Sequence, residues 1–199
     1  MNEKIQKFKK HVIELSRNPD FVHHKWFVKY HLEIVEKIAM ELCNIYKAAD
    51  RDLVLTAVWL HDYGKLINFE KRHETTQTEG RKKLLEIGFA EDFIRKALEL
   101  VGLMDKSMDI DLSTASLETK IVSSADGASH FVGPFYLLWW NEQPQIEPEE
   151  LLEDDIRKAN KDWNRKIVLP EVKKSFQARY DHFLEERGKF PEKYLNNRP

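Results

Sequence analysis

The sequence predicts an all-α fold. Apolar residues recur every three or four positions along most of the chain, no stretch alternates convincingly at period two, and residues that start and stop helices separate the periodic segments. No internal repeat of roughly 20–50 residues is apparent. Residues 3–16 place Ile5, Phe8, Val12 and Leu15 on one face, and Asn18-Pro19-Asp20 ends that helix. A longer helix is expected from about Val22 to Lys47, with Phe27, Ile34, Val35, Ile38, Leu42 and Ile45 inward and His31 on the same face.

The segment from Asp52 to Leu60 is nearly all apolar and runs straight into His61-Asp62-Tyr63-Gly64-Lys65. A helix apolar on every side is a central, buried one. Asp50 or Asp52 is placed to cap its start, and Gly64 to stop it. After a polar connection over Leu66–His73, helices are expected from roughly Glu74 to Ile87, with Leu84 and Leu85 inward, and from about Glu91 to Met104. Asp105–Thr114 reads as a loop. Ser116 then caps a helix with Leu117, Ile121, Val122 and Ala125 inward and Asp126 adjoining that face.

Gly133-Pro134 breaks the chain, and the texture changes: an aromatic run, Phe135–Trp140, then an acidic, proline-marked connection over Pro144–Glu150. Two amphipathic helices follow, near Glu149–Arg165 and Pro170–Arg187, with Pro148 and Pro170 suited to first turns and Gly188 to a C-terminal cap. They are too short for a core of their own. They are expected to pack on the main bundle, making residues 1–199 one domain with a core over about 20–135 and an extension over 136–199.

Composition narrows the function classes. Of the 199 residues 42% are apolar and 33% charged, a globular balance. A net charge of −2 argues against a general nucleic-acid or membrane-surface binder, which needs a basic face. The single cysteine, Cys43, excludes an intramolecular disulfide and a multi-cysteine zinc site. Residues 1–20 lack the apolar core of a signal peptide, and the longest apolar run is too short to span a bilayer. The expected location is the cytoplasm, with a homodimer allowed.

Three polar features fall on inward faces of separate apolar helices: His31, the pair His61-Asp62, and Asp126. A buried ionised carboxylate is very costly unless paired or metal-bound. Two imidazoles and two carboxylates make a complete ligand set for one divalent cation, with positions left for water and substrate. His130, one turn after Asp126, can face the same space, although a hydrogen-bonded core histidine is the commoner arrangement. His24 lies two turns before His31, roughly 10 Å along the axis: in reach of a substrate pocket, with His23 beside it, but not of the same ion.

In its order and its motifs the chain resembles the HD-domain metal-dependent phosphohydrolases. The matching stretches are Trp26-Phe27-Val28-Lys29-Tyr30-His31, Trp59-Leu60-His61-Asp62-Tyr63-Gly64-Lys65 and Val122-Ser123-Ser124-Ala125-Asp126, and the likeness covers about residues 20–135. The resemblance implies an HD-like helical bundle whose two histidines and two aspartates hold one metal ion, and hydrolysis of phosphate esters or anhydrides, often of nucleotides. Binuclear members carry further histidines. His73 is a candidate for one, but the end of the Glu91–Met104 helix offers Leu103, Met104 and Asp105 where another is expected, which favours a single ion. Asp126 also lacks an acidic neighbour, being set between Ser123-Ser124-Ala125 and Gly127.

The expected function is thus a metal-dependent phosphohydrolase of a small phosphorylated metabolite, foremost a nucleotide, using one divalent ion (Mn, Fe, Co, Ni, Mg or Zn). Metal-bound hydroxide attacks phosphorus, and His31, His61, Asp62 and Asp126 are the ligands. Lys65 is the candidate to meet a phosphate oxygen, with His73 or Glu74 as candidates to manage protons. Trp139-Trp140 is a candidate to stack a base. Two alternatives compete: an inactive HD-like binding module stapled by metal or hydrogen bonds, and a di-iron oxygenase drawing extra ligands from His73 and a residue near Asp105.

Overall fold

The computed structural model describes residues 2–188, all of whose regular structure is helical. Helix α1 (Glu3–Leu15) starts at Asn2, whose side chain accepts the Lys4 amide, and buries Ile5, Phe8 and Val12. The chain then turns through Phe21–Trp26 and enters a π-helical turn, Val28–Leu32, that runs into α2 (Glu33–Ile45). The helix expected from Val22 therefore begins about five residues later. Phe21 and Trp26 are buried, and His23 and Trp26 both bind Glu142, at 2.5 and 2.6 Å. A helix through Val22 could not serve those anchors.

Helix α3 (Arg51–Leu60) is the axis of the bundle, with every residue from Leu53 to Leu60 buried. Of the two capping candidates Asp50 does the work, accepting the amides of Asp52 and Leu53 at 3.0 Å each. The helix ends at Leu60 with His61 as its cap, not at Gly64. Gly64 sits in a 3₁₀ turn, Tyr63–Leu66, where its amide donates to Thr76 Oγ1 at 2.9 Å.

The next helical run starts at Arg72: α4 (Arg72–Thr75), a π turn (Thr76–Gly80) and α5 (Arg81–Ile87). It closes on Gly88 at φ +96°, with Phe89 N reaching back to Leu84 O. Leu84 is fully buried, but Leu85 and Ile45, both expected inward, stand 39% and 56% exposed. Both sit near helix ends, where the apolar stripe runs off the packed face. Helix α6 (Glu91–Asp105) leads through a loop with one 3₁₀ turn (Leu112–Thr114) to α7 (Leu117–Ser129). Ser116 caps α7 by accepting the Thr119 amide, and α7 is buried throughout from Ile121 to Ser129.

The C-terminal helices pack on this bundle. After Gly133 the aromatic run forms α8 (Phe135–Asn141). Proline opens both α9 (Pro148–Lys161), continued by a π turn (Asp162–Lys166), and α10 (Pro170–Arg187), which ends at Gly188. Phe131 meets Trp163, Tyr180 and Phe183 edge-on, and Trp163 stacks on Tyr180 at 4.4 Å. Each such buried aromatic stabilises by roughly 1.5–3 kcal/mol. Among the described residues no helix is long and apolar enough to cross a membrane.

Gly64 carries the tightest of these approaches. A Cβ there would stand 1.9 Å from Arg72 O and 2.7 Å from Thr76 Oγ1. Gly64→Ala is expected to lower stability by about 3 kcal/mol, at the upper end of overpacking costs, read as a lower urea midpoint at unchanged slope. An unaltered midpoint would contradict this packing.

Candidate metal centre

The two most deeply buried helices deliver their polar residues to one point. His61 and Asp62 follow the last turn of α3, Asp126 lies on α7, and His31 is presented by the π turn before α2. A π turn rotates side chains off the regular helical stripe, and such turns are frequent at functional sites. His31, His61 and Asp126 are buried at 2%, 8% and 4% exposure.

The hydrogen bonds fix which ring nitrogens carry protons. His61 Nδ1 lies 2.7 Å from Val58 O. A carbonyl only accepts, so Nδ1 holds the hydrogen and, in the neutral ring, Nε2 presents its lone pair. Ser129 Oγ donates to Asp126 O at 2.7 Å and so accepts from His31 Nδ1 at 3.1 Å. His31 Nε2 is bare by the same logic. These two nitrogens face each other at 3.3 Å. Asp62 Oδ2 stands 3.5 and 3.6 Å from them, and Asp126 Oδ1 3.6 and 3.7 Å.

That donor set fits a divalent cation. Bonds of about 2.0–2.2 Å to imidazole and carboxylate place adjacent ligand atoms roughly 3–3.5 Å apart, close to the spacing seen. Two lone pairs with no hydrogen between them repel unless a cation lies between. Burial, the largest influence on His31, keeps its ring neutral against the pull of Asp62 and Asp126. Burial also pushes the Asp62 carboxyl up, but the Lys65 ammonium is the strongest opposing influence, and the carboxyl is held well below the usual range. The same contest holds Asp126 down, with Lys166 the strongest opponent of burial. Both carboxylates are therefore ionised and ready to ligate.

A cavity of about 200 Å³ opens over these atoms, lined by His31, Asp62, Asp126, His130, three lysines (Lys65, Lys158, Lys166) and aromatic side chains including Trp26, Phe69, Phe135 and Trp139. Lys65 Nζ lies 2.8 Å from Asp62 Oδ2. His130 is both a hydrogen-bonded core histidine and a wall of the cavity. Its Nδ1 is 2.7 Å from Asp162 Oδ2 and its Nε2 3.6 Å from Asp126 Oδ1, and burial, aided by Lys158, lowers its pKa to about 3. His23 lines the cavity, whereas His24 is occupied with Phe21 O.

His73 and Glu74 do not line this cavity. His73 Nδ1 pairs with Asp105 Oδ2 at 2.8 Å, and both His73 and Glu74 line a neighbouring cavity that shares no residue with the first. Asp105 nonetheless lies near enough to Asp62 and His61 for their charges to act on its carboxyl, which burial raises most.

Lys158, Asp162 and Lys166 were not singled out from sequence. Asp162 is fully buried, with Lys158 Nζ at 3.2 Å and Lys166 Nζ at 3.6 Å; Lys166 also reaches Asp126 Oδ2 at 2.7 Å. A signal was present: Leu151, Asp155, Ala159 and Asp162 share one helical stripe, and an aspartate on an apolar stripe asks for a partner.

A helical bundle that converges two histidines and two aspartates on one buried point defines a metal-binding hydrolase-type fold, and comparison with known families agrees. The HD-domain family model matches residues 28–129, half of the chain. The chain belongs to the HD-domain family, the metal-dependent phosphohydrolase superfamily. No solved structure matches it significantly.

Burial pushes the Asp162 carboxyl up, but Lys158, His130 and Lys166 together hold it below its ordinary value. Its contribution to stability is full above the unfolded pKa of about 3.9 and fades as pH falls through the lower, folded one. Asp162→Asn is expected to cost about 3 kcal/mol at pH 7, because it leaves two largely buried lysines short of a counter-charge. Urea titrations should find the gap between the two proteins shrinking below about pH 4. A gap unchanged at low pH would contradict the assignment.

Proposed function

We propose that this protein is a metal-dependent phosphohydrolase acting on a small phosphorylated metabolite, with nucleotides the first class to test. The observation that carries the reading is the pair of bare imidazole nitrogens, 3.3 Å apart and flanked by two ionised carboxylates, beside a lysine-bearing cavity that His31, Asp62 and Asp126 line. A divalent ion bound there would supply two things: a water acidified into the neutral range and charge withdrawal from a phosphoryl oxygen.

The residues that would hold it are His31, His61, Asp62 and Asp126. Val58 O and Ser129 Oγ fix the ring orientations through Nδ1, the support that metal-binding histidines ordinarily have. Lys65, beside Asp62 on the cavity wall, is placed to meet a non-bridging phosphoryl oxygen as charge builds on it. Trp26, Phe69, Phe135 and Trp139 offer apolar faces to the remainder of the substrate, which favours a flat ring such as a base. The cavity is small beside the roughly 300–1,000 Å³ of pockets for drug-sized ligands, which supports a small substrate.

In the reaction the oxygen of water bonds to phosphorus, and the bond from phosphorus to the rest of the substrate breaks with its electron pair on the leaving oxygen. That oxygen gains one of the water's protons and the phosphate keeps the other. Positioning and charge stabilisation supply most of the catalysis in such transfers. No proton step is routed through His73 or Glu74, which line the other cavity.

Phosphate release across a panel of nucleotides and simple phosphate esters, with Mn, Co, Ni, Mg or Fe supplied, tests the reading. His61→Ala and Asp62→Ala are each expected to lower kcat/KM by more than about a hundredfold, beyond the 10–100-fold typical of residues that merely support a ligand. Hydrolysis that survives both substitutions would refute the assignment.

A further inference from the structure

Part of the cavity wall that the family match does not cover is contributed by α9 and the π turn that continues it. Lys158, Asp162 and Lys166 lie beyond residue 129, where the match ends. The two lysines reach the cavity because α7 is small-sided where the segment passes. A Cβ on Gly127 would stand 3.0 Å from Ile167 Cγ1, 3.1 Å from Lys166 Cβ and 3.3 Å from Asp162 O. Ser123 Oγ donates to Lys166 O at 3.0 Å, and Ser124 Oγ accepts the amides of Val168 and Leu169 at 3.1 and 3.2 Å. The residues that take the place of acidic neighbours beside Asp126 are thus the seat of this segment.

The seat sets two ammonium groups over the ligand cluster. Lys166 Nζ is held by Asp126 and Asp162. Lys158 Nζ is held by Asp162 at 3.2 Å and lies 5.5 Å from the Phe135 ring centre and 5.9 Å from that of Trp139. The side chains of Lys158 and Lys166 are only 23% and 17% exposed, and Asp162 not at all. Lys65 completes the set on the opposite ligand.

A charge balance follows. Two carboxylates, Asp62 and Asp126, line the cavity with three lysines, Lys65, Lys158 and Lys166, and the buried Asp162, paired with Lys158 and Lys166, supplies the third carboxylate. Glu142 is turned onto His23 and Trp26 and Asp105 onto His73, and neither lines the cavity. Histidines that bind a metal are neutral, so a divalent ion would leave the site with two net positive charges. A phosphomonoester carries close to two negative charges near neutral pH, whereas a diester carries one.

We infer that Lys158 and Lys166, seated by the small residues of α7, form with Lys65 a cradle that selects the terminal phosphate of a monoester dianion over a phosphodiester, with the aromatic wall taking the ester's organic part. The inference rests on the hydrolase reading for the reaction, but the cradle itself is a binding claim and is tested as one.

Calorimetric titration of the metal-loaded protein with inorganic phosphate provides the test, comparing the unaltered protein with Lys158→Gln and Lys158→Arg. Lys158 touches none of the four ligands, so the metal content of both variants should match the parent's. Loss of one ammonium in a poorly solvated cavity is expected to weaken phosphate binding about tenfold or more, and the arginine variant should retain most of the affinity. In parallel, p-nitrophenyl phosphate should be cleaved with a higher kcat/KM than bis-p-nitrophenyl phosphate, and the preference should shrink in Lys158→Gln.

Equal phosphate affinity in parent and Lys158→Gln, or a preference for the diester, overturns the cradle while leaving the hydrolase assignment intact. Lysine-dependent phosphate binding without turnover of either ester supports the cradle and overturns the hydrolase assignment instead.

Discussion

The structure depends on an arrangement that is unfavourable until a cation is added. Two imidazole nitrogens, each bare because its ring partner is committed to Val58 O or Ser129 Oγ, face each other at 3.3 Å with two carboxylate oxygens alongside. Four electron-rich atoms buried together repel one another and have lost water. Lys65 and Lys166 relieve the carboxylates but leave the two nitrogens facing each other. A divalent ion would satisfy all four, and the rest of the bundle then serves as its scaffold.

The scaffold uses ordinary packing to hold that tension. Helices α3 and α7 are buried on nearly every side, so their ends are fixed in place by side chains such as Trp59, Val58, Ile121 and Val122 rather than by loops. Trp59 adds a polar tether, donating to Glu36 at 2.6 Å while Lys9 lies over its ring. Sites carried on such rigid elements keep their geometry better than sites on loops. The C-terminal segment closes the remaining side, and its charged residues make a second, interlocking set of ion pairs around Asp162.

Much of this was legible in the sequence. The all-α class, the central helix, the Asp50 and Ser116 caps and the grouping of His31, His61, Asp62 and Asp126 on inward faces follow from periodicity and from the cost of burying charge. What escaped was set by tertiary contact. The delayed start of the second helix depends on Glu142, more than a hundred residues away. The π turns at Val28–Leu32 and Asp162–Lys166 leave no mark in a 3.6-residue pattern. Gly64 looked like a helix stop, but its requirement is the close passage of Arg72. Ser123, Ser124 and Gly127 looked like a weakened motif because the chain they seat arrives some forty residues later.

The central claim is geometric and can be read directly. A crystal grown with manganese and measured for anomalous scattering should contain one strong peak bonded at about 2.0–2.3 Å to His31 Nε2, His61 Nε2, Asp62 Oδ2 and Asp126 Oδ1. A peak elsewhere, or His31 or Asp126 remaining outside bonding distance of the ion, would contradict the account.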